Sequence, residues 1–140
     1  LRTFDEEWRE EAKQRITAIA RGIAQAFGAD CDVFIDPGYP YLVNDERLTA
    51  QAIHWATEYL GDKQVTEIPQ RMTAEDFAYF SHALPSCFYR LGVRNERKGI
   101  VSNLHTSTFD IDEDALATGS GLMAFLALKA LENLSGPSLK

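Results

Sequence analysis

Basic residues are scarce in this 140-residue chain: 14 Lys and Arg stand against 21 Asp and Glu, for a net charge of −7. Binding a phosphate backbone needs clustered Lys and Arg, so a nucleic-acid partner is not expected. No run of like charge is long enough to form a nucleic-acid or membrane arm. Cysteine is limited to Cys31 and Cys87, far apart and without CxxC spacing. Two buried thiols in a reducing, cytoplasmic setting is the preferred reading, and a disulfide stays open. The longest apolar run, residues 122–130, is interrupted by Lys129 and falls short of the about 20 residues of a membrane span. It reads as a buried helix, and no membrane partner is expected. The opening residues, Leu1-Arg2-Thr3-Phe4-Asp5, carry neither an initiator Met nor a signal-peptide apolar region. They start inside what reads as a structural element, as in a fragment or a processed chain. Internal repeats and low-complexity segments are missing, as are GxSxG, a Walker loop, a strand-borne GxGxxG, HExxH and HxH.

What is present suits a folded globular chain, with 45% hydrophobic and 25% charged residues. Trp8, Ala12, Ile16, Ile19, Ile23 and Phe27 recur every three or four residues, which predicts an amphipathic helix over residues 5–27. Asp5 suits its N-cap, Glu6 and Glu7 the positive end of its dipole, and Gly28 its stop. A second helix is expected over residues 46–60, capped by Asn44 or Asp45 and closed by Gly61. Its inner face would be Leu48, Ile53 or Ala52, Ala56 and Leu60. Thr73-x-x-Asp76 resembles a capping box opening a helix over residues 73–82. The last helix is expected over residues 112–134, with Gly119, Ser120 and Gly121 allowing close approach to a sheet and Gly136-Pro137 ending it.

Three runs read as strands: residues 31–35, 65–68 and 87–93. Alternation of helix and strand predicts an α/β fold with helices packed on part of a sheet. Asp36-Pro37-Gly38-Tyr39-Pro40 is a turn and a candidate domain boundary. The helix and strand before it are too little for a domain of their own.

Of the three histidines, His54 lies within a helix and His82 ends one, and both read as structural or surface residues. His105 lies in an irregular loop between a strand and a long helix, where α/β folds place ligands. One imidazole does not bind a metal, and spacing supplies it no partner. Glu75 and Asp76 are adjacent carboxylates at a helix start, where dipole complementation explains them and a polar pair beside a metal is the sharper alternative. Asp110, Asp112, Glu113 and Asp114 lack the glycine and final Glu of a calcium loop and read as capping.

Five blocks resemble one family of amidohydrolases, that of aminoacylase, hippurate hydrolase and auxin-conjugate hydrolase. Met72-Thr73-Ala74-Glu75-Asp76-Phe77-Ala78-Tyr79-Phe80 resembles its M-G-[SA]-E-D-F-[SA]-Y-F segment. Phe88-Tyr89-Arg90-Leu91-Gly92-Val93 is similar to its F-F-x-L-G strand. Residues 104–113, from Leu104-His105-Thr106 to Asp112-Glu113, resemble L-H-[ST]-x-x-F-x-x-[DN]-E. Residues 38–45 resemble G-Y-P-x-x-x-N-D, and Arg2-Thr3-Phe4 the R-T-F that precedes the lid helix. The blocks keep the family's order along almost the whole chain.

The resemblance implies hydrolysis of N-acyl amino acids or similar small amides at a two-metal site of zinc or manganese. It implies that residues 1–37 end a lid domain, which commonly mediates dimerisation, and that residues 38–140 close the catalytic domain. His105 matches the family's last metal-binding histidine, Glu75 and Asp76 an acidic pair lining the site, and Asn44 a polar residue that helps hold substrate or caps its helix. Gly92 keeps a strand end open. The family's other ligands and its general base match nothing here, and Thr73 replaces a usual Gly. The isolated chain is therefore expected to be inactive, with partners in a second copy or in the missing N-terminal part. The alternative is a non-catalytic α/β binding or assembly module that keeps the scaffold.

Overall fold

The computed structural model describes residues 1–135, and the expected stop at Gly136-Pro137 lies outside them. The described residues form four α-helices: α1 (Glu6–Ala26), α2 (Glu46–Leu60), α3 (Ala78–Ala83) and α4 (Asp114–Ser135). Short 3-10 turns lie at Asp62–Gln64 and Glu96–Lys98. By contact the chain divides into two units. One is Leu1–Asp45 with Ile68–Ser86; the other is Glu46–Glu67 with Cys87–Lys140.

In the first unit, α1 begins where Asp5 leaves the helical region (φ −131°, ψ 107°) and its carboxylate accepts the Trp8 amide at 2.9 Å. That satisfies one of the donors orphaned at a helix start. The helix stops at Gly28, whose φ of 72° is left-handed and open to glycine. Arg15 to Glu11 and Lys13 to Glu10 pair along the helix. The face that α1 covers is the unexpected one. Residues 33–35 run as an extended strap over Glu10, Lys13, Thr17 and Arg21, the polar side. Within the strap Val33 and Ile35 are half-buried and Phe34 is exposed. The apolar stripe of α1 is left open, with Ile19 62% and Phe27 86% exposed.

The same unit ties residues 38–45 along α3. The Tyr39 and Tyr79 rings meet edge to face at 6.1 Å, and His82 Nε2 donates to the Tyr41 carbonyl at 2.6 Å. The Val43 amide reaches Ser81 Oγ at 3.4 Å, and the Asp45 amide donates to the Ser86 carbonyl at 2.8 Å. From the other side Glu6 accepts the Tyr41 amide and Arg9 donates to the Tyr39 carbonyl. Helix α3 is shorter than the predicted 73–82. It starts after Phe77 with no side-chain cap, and the Thr73 capping box does not form. Instead a turn precedes the helix, with the Ala78 and Tyr79 amides bonded to the Glu75 and Asp76 carbonyls.

In the second unit, α2 spans the predicted residues and packs on α4. Tyr59 and Phe125 rings lie 5.2 Å apart, and Lys129 bridges to Glu58 at 3.0 Å. The glycines of α4 allow this approach. A Cβ on Gly121 would sit 2.1 Å from the Tyr59 hydroxyl, and one on Gly119 would sit 2.6 Å from Leu91 Cδ2. By length and composition alone, residues Asp114–Leu134 could cross a membrane, with a mean hydropathy of 1.3. One side of that helix is nonetheless packed on α2, and Leu122 on it is buried.

The expected sheet is not there. Among the described residues there is no strand, and the single β-bridge joins Asn95 to Ile100. The runs 31–35, 65–68 and 87–93 have the alternation of strands, but no backbone ladder links them. A strand is half of an interaction and needs a neighbour about 4.8 Å away. Here the first run lies over a helix, the last belongs to the other unit, and its Val93 carbonyl is taken by the Asp112 amide at 2.9 Å. The small residues of α4 accordingly meet helix α2 and Leu91 rather than a sheet.

Candidate functional site

His105 sits in a loop whose two ends are clasped. At the base, Asn95 Nδ2 donates to Asp112 Oδ2 at 2.6 Å, and Lys98 Nζ pairs with Asp112 Oδ1 and Asp114 Oδ2 at 2.5 Å each. The Asn95 carboxamide oxygen also accepts the Arg97 and Lys98 amides, which sets the tight turn, and Gly99 closes it at φ 73°. Arg94 donates to the Val101 carbonyl at 2.7 Å. These bonds have an electrostatic signature. The Asn95 carboxamide and then the Lys98 ammonium hold the Asp112 carboxyl below the usual aspartate range. The hydrogen bonds that Lys98 donates to the Asp112 and Asp114 carboxylates in turn hold its ammonium above the usual lysine range.

Above this base the loop is braced by its own hydroxyls. Ser102 and Thr108 bond at 2.8 Å, and Thr106 Oγ1 donates to the Asn103 carbonyl at 2.8 Å. At its tip His105 has φ 64°, alone among the described non-glycine residues in the left-handed region. A β-carbon makes that conformation cost on the order of 1 kcal/mol. Its imidazole is exposed and bonded to no other described group. The His105 side chain is thus exposed at the tip of a braced loop and is not a packing residue.

The other sequence candidates fall in the first unit. Glu75 is half-buried, its Oε1 at 3.5 Å from the Phe77 amide, and Asp76 is exposed. Asn44 is half-buried on the segment that runs along α3, the helix that the acidic pair precedes. Asn44, Glu75 and Asp76 therefore share one unit, whereas His105 belongs to the other. His82 is spent on the Tyr41 carbonyl and ring, and His54 lies exposed on α2. Asp112 is a structural clamp, in keeping with its reading as a capping residue. Asn95 and Lys98 were not among the candidates, although an Asn three residues before a Lys-Gly pair is a turn signal.

The sequence profile of Peptidase family M20/M25/M40 matches residues 5–129. The chain belongs to this family. Relatives similar to it include proteins named as a carboxypeptidase, an amino acid hydrolase and a deacetylase. It is 35% identical over 130 residues to thermostable carboxypeptidase 2 of Saccharolobus solfataricus, a match covering 92% of this chain and 32% of that protein. It is 34% identical over 125 residues to IAA-amino acid hydrolase ILR1-like 6 of Arabidopsis thaliana, covering 86% and 27%. It is 32% identical over 126 residues to N-acetyldiaminopimelate deacetylase of Brevibacillus brevis, covering 89% and 32%. The chain thus spans about a third of the length of these curated relatives. No solved structure matches it.

Members of the M20 amidohydrolase family are generally metal-dependent. The residues described here do not by themselves fit a complete metal centre. Among them no three His, Cys, Asp or Glu side chains converge, and a catalytic site of this kind takes about three protein ligands.

Proposed function

We propose that this chain is the C-terminal portion of a metal-dependent amidohydrolase that cleaves the amide bond of N-acyl amino acids or similar small amides. Residues 1–37 would close a lid domain and residues 38–140 the catalytic domain. The observation that carries the reading is His105, held left-handed and uncommitted on a loop clasped by Asn95, Lys98 and Asp112. In the complete cytoplasmic protein His105 supplies one ligand to zinc or manganese. Glu75 and Asp76 line the site, and Asn44 contacts substrate. Such hydrolysis needs an activated water and a base to take its proton. His105 alone supplies neither, so the 140 residues by themselves are inactive.

The test is an assay of the longer polypeptide, with N-acetyl and N-benzoyl amino acids and with metal added or chelated. Metal-dependent release of amino acid, abolished by His105→Ala, supports the reading. No release from a broad panel removes it. One observation favours a second reading, a non-catalytic binding or assembly module: the described residues hold no converging ligand set. That reading predicts that His105→Ala leaves every property of the longer protein unchanged.

A further inference from the structure

An ion pair along an exposed helix face contributes little by itself. The pair in the first turn of α1 has a further use. Glu6 and Arg9 stand three positions apart and meet through Oε2 and Nη2, and the Arg9 side chain is only 12% exposed. Each then spends another terminal atom on a backbone group outside the helix. Glu6 Oε1 accepts the Tyr41 amide at 3.0 Å, and Arg9 Nη1 donates to the Tyr39 carbonyl. Two charge-assisted bonds thus grip the chain two residues apart. Tyr41 is also held by other groups of the same unit. His82 Nε2 donates to its carbonyl at 2.6 Å, and the Phe4 and His82 rings meet its ring at 6.4 and 4.9 Å. Asn44 lies just beyond, between the Val43 amide, bonded to Ser81 Oγ, and the Asp45 amide, bonded to the Ser86 carbonyl.

We propose that Glu6 and Arg9 are positioning residues, which fix residues 39–45 and so the place of Asn44 beside the helix that Glu75 and Asp76 precede. The inference rests on the substrate contact proposed for Asn44. Taking an ion pair out of water costs much of what its attraction returns, so the effect of this pair is a fixed geometry more than added stability. Both residues act through the backbone of Tyr39 and Tyr41. Their effect therefore falls on substrate affinity rather than on the chemical step.

The test is made on the longer polypeptide. Glu6→Ala and Arg9→Ala are expected to raise KM for N-acetyl amino acids about tenfold with kcat unchanged. In the same variants the amides of residues 39–45 exchange severalfold faster with solvent, and those of α2 do not. Glu6→Gln keeps an oxygen for the Tyr41 amide and restores most of the affinity. Glu7→Ala removes the neighbouring first-turn carboxylate and moves neither reading. Calorimetric titration with an N-acetyl amino acid reads affinity without turnover. Equal effects of Glu7→Ala overturn the proposal, because Glu6 is then only a helix-end charge. So do faster exchange with unchanged affinity, a fall in kcat at constant KM, and exchange that is unchanged or accelerated in α2 as well. Weakened binding in variants of a protein that hydrolyses no amide removes the amidohydrolase reading alone. Unchanged exchange with full hydrolysis removes the positioning role alone, and a protein that binds no N-acetyl amino acid removes both.

Discussion

Asn95 Nδ2 donates to Asp112 Oδ2 at 2.6 Å, joining the residues on either side of the loop that presents His105. The Asp112 carboxylate also takes Lys98 and the Asp114 amide, so one side chain ties together Asn95, the 3-10 turn and the start of α4. Replacing it removes three acceptor contacts at once, leaves the Asn95 Nδ2 donor to water and leaves Lys98 with Asp114. Asp112→Ala is expected to speed hydrogen exchange of the amides of residues 101–110 severalfold, with the amides of α1 unchanged. Uniform acceleration across the chain would show that the clamp is global rather than local.

The same carboxylate sets a pH window. Its folded-state pKa lies below its unfolded value, so its contribution is present above about pH 4 and is lost as pH falls through the folded value. The raised Lys98 ammonium contributes below the ordinary lysine value of about 10 and loses its share only at higher pH. The Asn95 side-chain amide resonances should therefore hold steady through the neutral range and move toward solvent-exposed values in acid. A transition near neutrality would contradict this assignment.

His105 stores backbone strain that Gly does not feel. His105→Gly should raise the unfolding free energy of the chain by about 1 kcal/mol, read by denaturant titration. Under the proposed function it also removes a metal ligand, so stability and activity of the longer protein move in opposite directions. A stability loss on His105→Gly would mean that the imidazole contributes packing that the geometry does not indicate.

Gly121 and Tyr59 form a coupled pair. Alanine in place of glycine favours a helix interior by about 1 kcal/mol. Here the added methyl would meet the Tyr59 hydroxyl at 2.1 Å, so the ring must swing away from Phe125. Gly121→Ala alone is expected to be neutral or destabilising. In a Tyr59→Phe background, where the nearest remaining ring atom is 3.2 Å from the methyl, it should stabilise by roughly 0.5–1 kcal/mol. Thermal unfolding of the four proteins gives the coupling directly, and strict additivity would mean that the two residues do not touch.

Local signals determined much about this protein. The span of α2 and the Asp5 cap and Gly28 stop of α1 rest on interactions within a few residues, which a sequence carries complete. The acidic block, the Gly-Tyr-Pro turn and the Leu-His-Thr loop were likewise legible as one family's pattern, and the profile match bears that family out. Only the tertiary structure decided what those elements face. Strand signals at 31–35, 65–68 and 87–93 came to no sheet, because ladder hydrogen bonds belong to pairs of segments and no segment can supply its own partner. Periodicity located the apolar stripe of α1 but did not place it inside. The strap took the polar side instead, leaving the stripe to solvent. The clamp of Asn95 on Asp112 spans 17 positions, and no local pattern announces it, because its energy exists only once the chain has turned back on itself.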